Sequence, residues 1–369
     1  MLSSTVANSN VMKQKVRVGI SIGDINGIGP EVIIRTLSHP QIMELCTPVI
    51  YGSAKVIAYH KNVANLNSFN FSSQPSAERL NYHKANVINC WEDTVNINLG
   101  KATEEGGRCA HIALDRVVRD LKDGHVDVLV TGPINKHAMQ LVNFPAPGHT
   151  EYLEKELGGK ALMLMTSDRL KIAVVTGHIP LRDVAESITR DRVVNSLVAL
   201  IKSLTVDFGI DKPKIAVLGL NPHASDNGLM GNEEEEILHP VIKEAKKNGH
   251  LVMGPYSADG FFGSGLYNKF DGVLAMYHDQ ALIPFKTLSF GEGVNYTAGL
   301  DHVRTSPDHG TAYDLVGKDQ ADERSFRHAL YTAVDVFRRR KEFAEITSNS
   351  LRNKKDAEPQ EPQAAASGE

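Results

Sequence analysis

Cysteine is scarce in this chain: among 369 residues there are Cys46, Cys90 and Cys109, none of them in a C-x-x-C pair. No disulfide framework can be drawn from them, and buried structural thiols in a reducing, cytoplasmic setting are the expectation. An excess of either charge is also missing, since 40 Lys and Arg face 44 Asp and Glu for a formal net charge of -4. That balance supplies no global field for nucleic acid or an anionic membrane, so neither is expected as a partner. The one basic run, Arg338 to Lys341, falls at the end of a helical pattern and reads as a solvated last turn. No stretch approaches the roughly 18 apolar residues of a membrane span. The opening MLSSTVANSNVM lacks the charged and apolar regions of a secretory signal. No internal repeat or low-complexity linker divides the middle of the chain.

What is present is ordinary globular composition, 41% hydrophobic and 23% charged. The length exceeds one ordinary core and suits two domains, or one large α/β unit with an elaborated second lobe. Residues 1–13 and 349–369 are polar and poor in large apolar side chains, and disorder is expected there. Between them, β-rich runs at 16–22, 49–52, 126–131, 170–177, 214–220, 251–254 and 272–277 alternate with helical periodicity at 110–121, 192–204, 233–247 and 325–338. Several runs are apolar on both faces, as strands covered by helices on each side must be. The alternation predicts an α/β fold around a largely parallel sheet.

The stretch GISIGDINGIGPE, Gly19 to Glu31, looks at first like a strand feeding a phosphate-binding turn. A dinucleotide fingerprint has the order G-x-G-x-x-G. Here Gly23, Gly27 and Gly29 follow G-x-x-x-G-x-G, and Asp24 would repel a pyrophosphate. Pro30 suits the first turn of a helix, where a missing N–H is harmless. A tight turn that closes a domain is the favoured reading, and a substrate-facing loop stays open.

A stronger signal lies further along. IAVVTGHIPLRD, IAVLGLNPHASDNG and GVLAMYHDQ each pair an apolar strand with a histidine just beyond it: His178, His223 and His278. Side chains at the carboxyl ends of parallel strands converge on one crevice, so the three can meet. Neutral imidazole ligates divalent metal, and three histidines with open positions describe a catalytic site. His39, His60, His83, His111, His239, His250 and His328 lack this placement, and solvent exposure is expected for them. A second group suits anions: His149 and Thr150 before a helix, then Lys286, Asn295, Arg304, Ser306, Asp308 and His309. Hydroxyls, amides and helix-start N–H groups with Arg and Lys are what phosphate or carboxylate recognition uses.

In order along the chain, GIGPE, VTGPINK, PGHTEYL, GHIPLRDV, GLNPHA, MYHDQALIPFK, GVNYTAGL and RTSPDHGTAYDLVG resemble the 4-hydroxythreonine-4-phosphate dehydrogenases of pyridoxal phosphate biosynthesis. The matched stretches run from about Gly19 to Gly317. One departure is at Ile25 and Asn26, where family members commonly read Gly-Asp/Glu-Pro-Ala/Ser ahead of GIGPE.

The resemblance implies a two-domain α/β fold related to isocitrate and isopropylmalate dehydrogenases rather than a Rossmann fold, with a cleft between the domains. Residues 14–145 plus 290–345 would form an outer domain, and 146–289 a central one carrying the histidines and dimer contacts. It implies a homodimer with its active site at the subunit interface, because in this family the metal ligands come from both subunits. His178, His223 and His278 would hold one divalent cation, zinc, magnesium or cobalt. His149, Thr150, Lys286, Asn295 and Arg304 would bind substrate, Lys286 and Asp279 would be catalytic, and Asp259 with Asn295 would meet NAD or NADP. The implied reaction oxidises 4-phosphooxy-L-threonine to 2-amino-3-oxo-4-phosphooxybutanoate, which decarboxylates to 3-amino-2-oxopropyl phosphate. The same fold also suits D-threonate or D-erythronate 4-phosphate, whose hydroxyl, phosphate and carboxylate are shared. From another class, a metal-dependent phosphohydrolase or a phosphate-ligand binder uses similar groups.

Overall fold

The structure is a computed structural model and describes residues 15–348. The segments expected to be disordered, 1–13 and 349–369, lie outside the described residues. In chain order the strands are β1 (Val16–Ser21), β2 (Cys46–Gly52), β3 (Phe71–Gln74), β4 (Ala85–Asn89), β5 (Val128–Thr131), β6 (Gly159–Thr166), β7 (Lys171–Thr176), β8 (Lys214–Leu218), β9 (Leu251–Tyr256), β10 (Gly272–Tyr277), β11 (Val294–Leu300) and β12 (Arg304–Pro307). They form one sheet ordered β3-β4-β2-β1-β5-β12-β11-β6-β7-β10-β8-β9. From β3 to β12 every pairing is parallel, and so is every pairing from β7 to β9. Between the two blocks, β11 and β6 pair antiparallel with each other and with their outer neighbours, so the blocks run in opposite directions.

All seven predicted strands are present. Val18 and Ile20 in β1, like Val49 and Ile50 in β2, are fully buried, as continuous apolar runs in a parallel sheet clad by helices require. The helices Glu104–Lys122 and Arg324–Ser348 cover two of the predicted periodic segments, and Arg190–Lys202 and His239–Lys247 cover the other two together with the π-helical turns Ser203–Asp207 and Glu234–Leu238. β3, β4, β6, β11 and β12 were not predicted. β12 reads Arg-Thr-Ser-Pro, which carries no strand signal in isolation.

The glycine-rich stretch is a packing turn. Gly23 sits at φ +73°, and a Cβ there would lie 2.4 Å from the Pro133 carbonyl oxygen; a Cβ on Gly27 would strike Thr311 at 2.9 Å. Helix Gly29–Leu37 begins at once, with Pro30 in its first turn. Asp24 is buried, accepting the hydroxyl hydrogen of Tyr313 and the Asn26 N–H at 2.9 Å. The backbone is sealed against its neighbours, which is the tight-turn reading and leaves no room for a pyrophosphate.

Two expectations are corrected. The basic run Arg338 to Lys341 does not end a helix, which continues to Ser348. Arg340 within it is anchored: its Nε donates to Asp207 Oδ1 at 2.7 Å, Nη2 to the Tyr296 hydroxyl at 3.0 Å, and Nη1 to the Leu300 and Asp301 carbonyls. Asp207 is buried, and Tyr296 and Ser203 also donate to its Oδ2, at 2.6 and 2.8 Å. The second correction is His60, which is 1% exposed and bonded to the Ile25 carbonyl at 2.8 Å; its apolar helix face outweighs the polar residues beside it in sequence. The cysteines behave as expected, with Cys46 and Cys109 buried and all three thiols pushed up to about 12 by burial.

Removing Arg340 leaves the buried Asp207 charge without its cation, a change that costs about 3–5 kcal/mol in comparable sites. Arg340→Ala is therefore expected to lower the urea midpoint sharply, whereas Arg182→Ala, whose side chain is 85% exposed, leaves it unchanged.

Candidate active site

Where the sheet reverses direction, strand periodicity builds the floor of a site. Asn295 of β11 pairs with Ser306 of β12 and with Met165 of β6, and Thr297 pairs with Met163. Directly paired residues, and residues two apart on one strand, project to one face. Met163, Met165, Asn295, Thr297, Arg304 and Ser306 therefore share a face. Leu164, Tyr296 and Thr305 project to the other and are fully buried. Over the first face lies a cavity of about 540 Å³. One wall is the Gly132–Lys136 segment after β5 with the start of helix His149–Leu157; the other is His178 with helix His278–Ser289.

Arg304 is the electrostatic feature of the floor. It is 3% exposed, and burial brings its guanidinium down to about 10 against a weaker upward influence of Glu151. Nη1 donates to Thr297 Oγ1 at 2.9 Å and Nη2 to Thr131 Oγ1 at 2.7 Å, while Nε has no partner. Among the described residues no carboxylate forms an ion pair with it. Burying a cation without its counter-ion is expensive, so the arrangement is suited to an anion that arrives from outside.

His149 and Thr150 open the helix His149–Leu157, whose N-cap Gly148 offers no side chain to the first N–H groups. Those groups and the helix dipole favour an anion there. The Arg304 Nη2 donor lies 3.4 Å from His149 Nδ1, which assigns the ring proton to Nε2. Burial, with a further contribution from Arg304, brings His149 down to about 3 and keeps it neutral.

His178 follows β7 and His278 follows β10, and their rings lie 5.4 Å apart between centroids. His278 Nδ1 bonds Asp279 Oδ1 at 2.7 Å, leaving its Nε2 free for another partner. His178 is lowered by burial first, then by the charges of Lys136 and His278. Two adjacent imidazoles, one of them oriented by a carboxylate, form a donor set that fits a divalent cation. Lys286 reaches across the cavity to donate to the Asp308 carbonyl at 3.2 Å, and Asn295 lies on the floor.

Of the residues singled out from sequence, His149, Thr150, His178, His278, Asp279, Lys286, Asn295 and Arg304 line this one cavity. His223 and Asp259 do not. His223 is exposed on the loop after β8, where its charge acts on Asp259. Asp259 in turn edges a separate apolar groove of about 490 Å³, lined by Phe262, Tyr277, Ile283 and Pro284, that shares Asp279 with the cavity. Among the described residues no group of three metal-ligating side chains occurs within one chain. Lys136, Glu151 and Thr131 line the cavity but were not picked out. Lys136 and Glu151 belong to VTGPINK and PGHTEYL, so the motif was visible while the individual roles were not.

His149 and His60 share a titration. Both lie below the ordinary 6.5, at about 3 and about 4. The unfolded chain then takes up their protons first, so the stability they contribute is complete above pH 6.5 and lost as pH falls from there toward 4 and 3. His149→Gln is expected to flatten the acid side of the urea midpoint plotted against pH; a profile parallel to the parent chain's contradicts the neutral-His149 assignment.

Comparison with known proteins converges on one family. Residues 44–333 match the family described as Pyridoxal phosphate biosynthetic protein PdxA. A 4-hydroxythreonine-4-phosphate dehydrogenase of Bacteroides thetaiotaomicron is 50% identical over 342 residues, 92% of this chain and 94% of that protein. D-threonate 4-phosphate dehydrogenase also appears as a name, for a protein of Oceanobacillus iheyensis that is 36% identical over 88% of this chain and 99% of its own length. The crystal structure of 4-hydroxythreonine-4-phosphate dehydrogenase from Klebsiella pneumoniae superposes with a TM-score of 0.75 at 32% identity, covering 88% of this chain and 98% of that one. With its sheet, its cavity and its motifs all in place, the chain belongs to the PdxA family.

Proposed function

We propose that this chain is a 4-hydroxythreonine-4-phosphate dehydrogenase that uses NAD or NADP and a divalent cation to oxidise the C3 hydroxyl of 4-phosphooxy-L-threonine. The observation that carries the reading is Arg304, a buried guanidinium without a carboxylate partner on the floor of a cavity that also holds two adjacent histidines. An anionic group on the substrate completes the first feature, and a cation the second. The 2-amino-3-oxo product is a β-keto acid, whose loss of carbon dioxide gives 3-amino-2-oxopropyl phosphate.

His178 and His278 would hold the cation with His223 of a second copy, because His223 lies outside its own chain's cavity. Zinc, magnesium or cobalt bound there would supply Lewis acidity to the hydroxyl being oxidised. Asp279 acts through His278, fixing which ring nitrogen carries the proton. Arg304, His149, Thr150 and the helix start bind phosphate or carboxylate, and Asn295 orients the substrate from the floor. Lys286, which lines the same cavity with its Nζ on the Asp308 carbonyl, would take up the proton released from the hydroxyl. Asn295 would also meet the nicotinamide, and Asp259 would do so from the partner's side.

A homodimer follows from the same reading. Ile283 is 66% exposed on the helix of His278, and Leu229 is 81% exposed beside the His223 loop; apolar groups of that kind flank an interface. We further read residues 14–145 plus 290–345 and residues 146–289 as the two lobes around the cavity. Free, buried cysteines support a reducing compartment such as the cytoplasm.

A substrate panel separates the readings: 4-phosphooxy-L-threonine, D-threonate 4-phosphate and D-erythronate 4-phosphate, each with NAD and NADP and added Zn²⁺ or Mg²⁺. Reduced nicotinamide is expected to accumulate fastest with the first, and preference for a hydroxy acid would reassign the substrate. Phosphate release without nicotinamide reduction would indicate a hydrolase. Arg304→Ala is expected to raise the KM for the phosphorylated substrate about 10- to 100-fold, the worth of a lost charged hydrogen bond. Mixing His178→Ala subunits with His223→Ala subunits is expected to restore about a quarter of the activity, because half of the dimers then carry one intact site. No recovery on mixing rejects the shared site.

A further inference from the structure

The loop that carries His223 is folded against backbone preference. Residues 223–228 all have positive φ, from 47° at Asp226 to 88° at Gly228, and five of the six are not glycine. Each such residue costs free energy relative to the right-handed region, and a run of them persists only where surrounding contacts hold it. A few bonds lie inside the loop: Ala224 N–H to the Asn221 carbonyl at 3.1 Å, and Met230 N–H to that of Ser225 at 3.1 Å. Its entry point is held by side chains: Gln280 Nε2 donates to the Gly219 carbonyl at 2.6 Å, Glu233 Oε2 accepts Asn221 Nδ2 at 2.8 Å, and a third side chain takes both backbone amides that follow Gly219.

That side chain is Glu234. It is 0% exposed, and among the described residues no Lys or Arg forms an ion pair with it. Its Oε1 accepts the N–H groups of Leu220 and Asn221 at 2.7 and 2.8 Å, and its Oε2 accepts Asn221 Nδ2 at 2.9 Å. A Cβ on Gly219 would lie 3.1 Å from Oε1 and 2.9 Å from the Ala224 Cα, so the strand end, the carboxylate and the loop are in tight contact. A buried carboxylate whose acceptor capacity goes to the two residues before Pro222 and His223 is a clamp on the loop.

We propose that Glu234 is a positioning residue, fixing the entry of the 221–228 loop so that His223 is presented for metal binding. The proposal rests on the reading of His223 as a metal ligand. Glu234 touches neither substrate nor cofactor; it acts through Leu220 and Asn221. Glu234→Gln keeps the volume but replaces one acceptor oxygen with N–H donors, which oppose either the Leu220 and Asn221 backbone N–H groups or Asn221 Nδ2.

The test compares the full-length parent chain, Glu234→Gln and His223→Ala by equilibrium dialysis against Zn²⁺ and Co²⁺ alone, with amide hydrogen exchange on the metal-free proteins. The expected result for Glu234→Gln is a metal affinity about 10- to 100-fold lower, the usual effect of losing a group that orients a ligand. Amide protection should be lost at Leu220 and Asn221 and retained in β7 and β10. A general structural role would loosen protection throughout and leave the affinity of the folded fraction unchanged, which overturns the proposal. Full metal affinity in His223→Ala rejects the ligand reading and the clamp with it. Loss of affinity in His223→Ala but not in Glu234→Gln rejects the clamp alone. Should Glu234→Gln not fold, Asn221→Ala, which removes one donor of the clamp, is expected to lower metal affinity in the same direction; unchanged affinity there overturns the proposal.

Discussion

The floor of the candidate site depends on the register of three strands in the middle of an otherwise parallel sheet, where the pairing turns antiparallel. β12, β11 and β6 join two blocks that run in opposite directions. Their alternation sends Asn295, Thr297, Arg304 and Ser306 toward the cavity, and Tyr296 and Thr305 toward the helices behind. A slip of one residue would exchange the two sets, burying the guanidinium in the core and placing Tyr296 in the site. Such a slip is opposed from behind. The Tyr296 hydroxyl is held by Asp207 and Arg340, and Arg340 also grips the carbonyls of Leu300 and Asp301 at the end of β11. Thr305 Oγ1 bonds the Ala329 carbonyl of the same long helix at 2.8 Å. The helix Arg324–Ser348 therefore sets the register that the cavity uses.

The cost of the site is concentrated in Arg304. Threonine hydroxyls satisfy part of its hydrogen-bonding capacity without cancelling its charge, and the unpartnered Nε marks what remains unsatisfied. A carboxylate supplied by the protein would stabilise the resting fold but would compete with an anionic substrate. Neutral His149 fits the same logic, since a second fixed cation beside Arg304 would raise the cost further. Under the proposed reading an arriving anion supplies the missing counter-charge, and rigid strands rather than loops hold the guanidinium that meets it.

The outer elements of the fold were legible in the sequence because their alternation separates core from helix cladding. The seam was not. In β11 and β12 the polar positions Asn295, Arg304 and Ser306 line a cavity rather than face water, so they read as anion-binding groups instead of half of an alternating strand. The site residues were nevertheless recognisable as chemistry, since an Arg, an Asn and a Lys bunched after β10 point to a site whatever the backbone does. His60 and Arg340 were misread for the converse reason. Each is polar beside polar neighbours in sequence, yet partners far along the chain hold it inward: the Ile25 carbonyl for His60, and Asp207, Tyr296 and the carbonyls at the end of β11 for Arg340. Long-range pairing of that kind leaves no local trace.

The two histidine segments that sequence brings to mind as one site are joined in space by a shared hinge point. Gln280, two residues after His278, donates from Nε2 to the Gly219 carbonyl at 2.6 Å and accepts the Met276 N–H at 2.7 Å. Gly219 immediately precedes the Leu220 and Asn221 amides that Glu234 holds. Within one chain, the end of β10 and the loop of His223 are thus tied to the same three residues from opposite sides. Under the shared-site reading these two segments serve different active sites of a dimer.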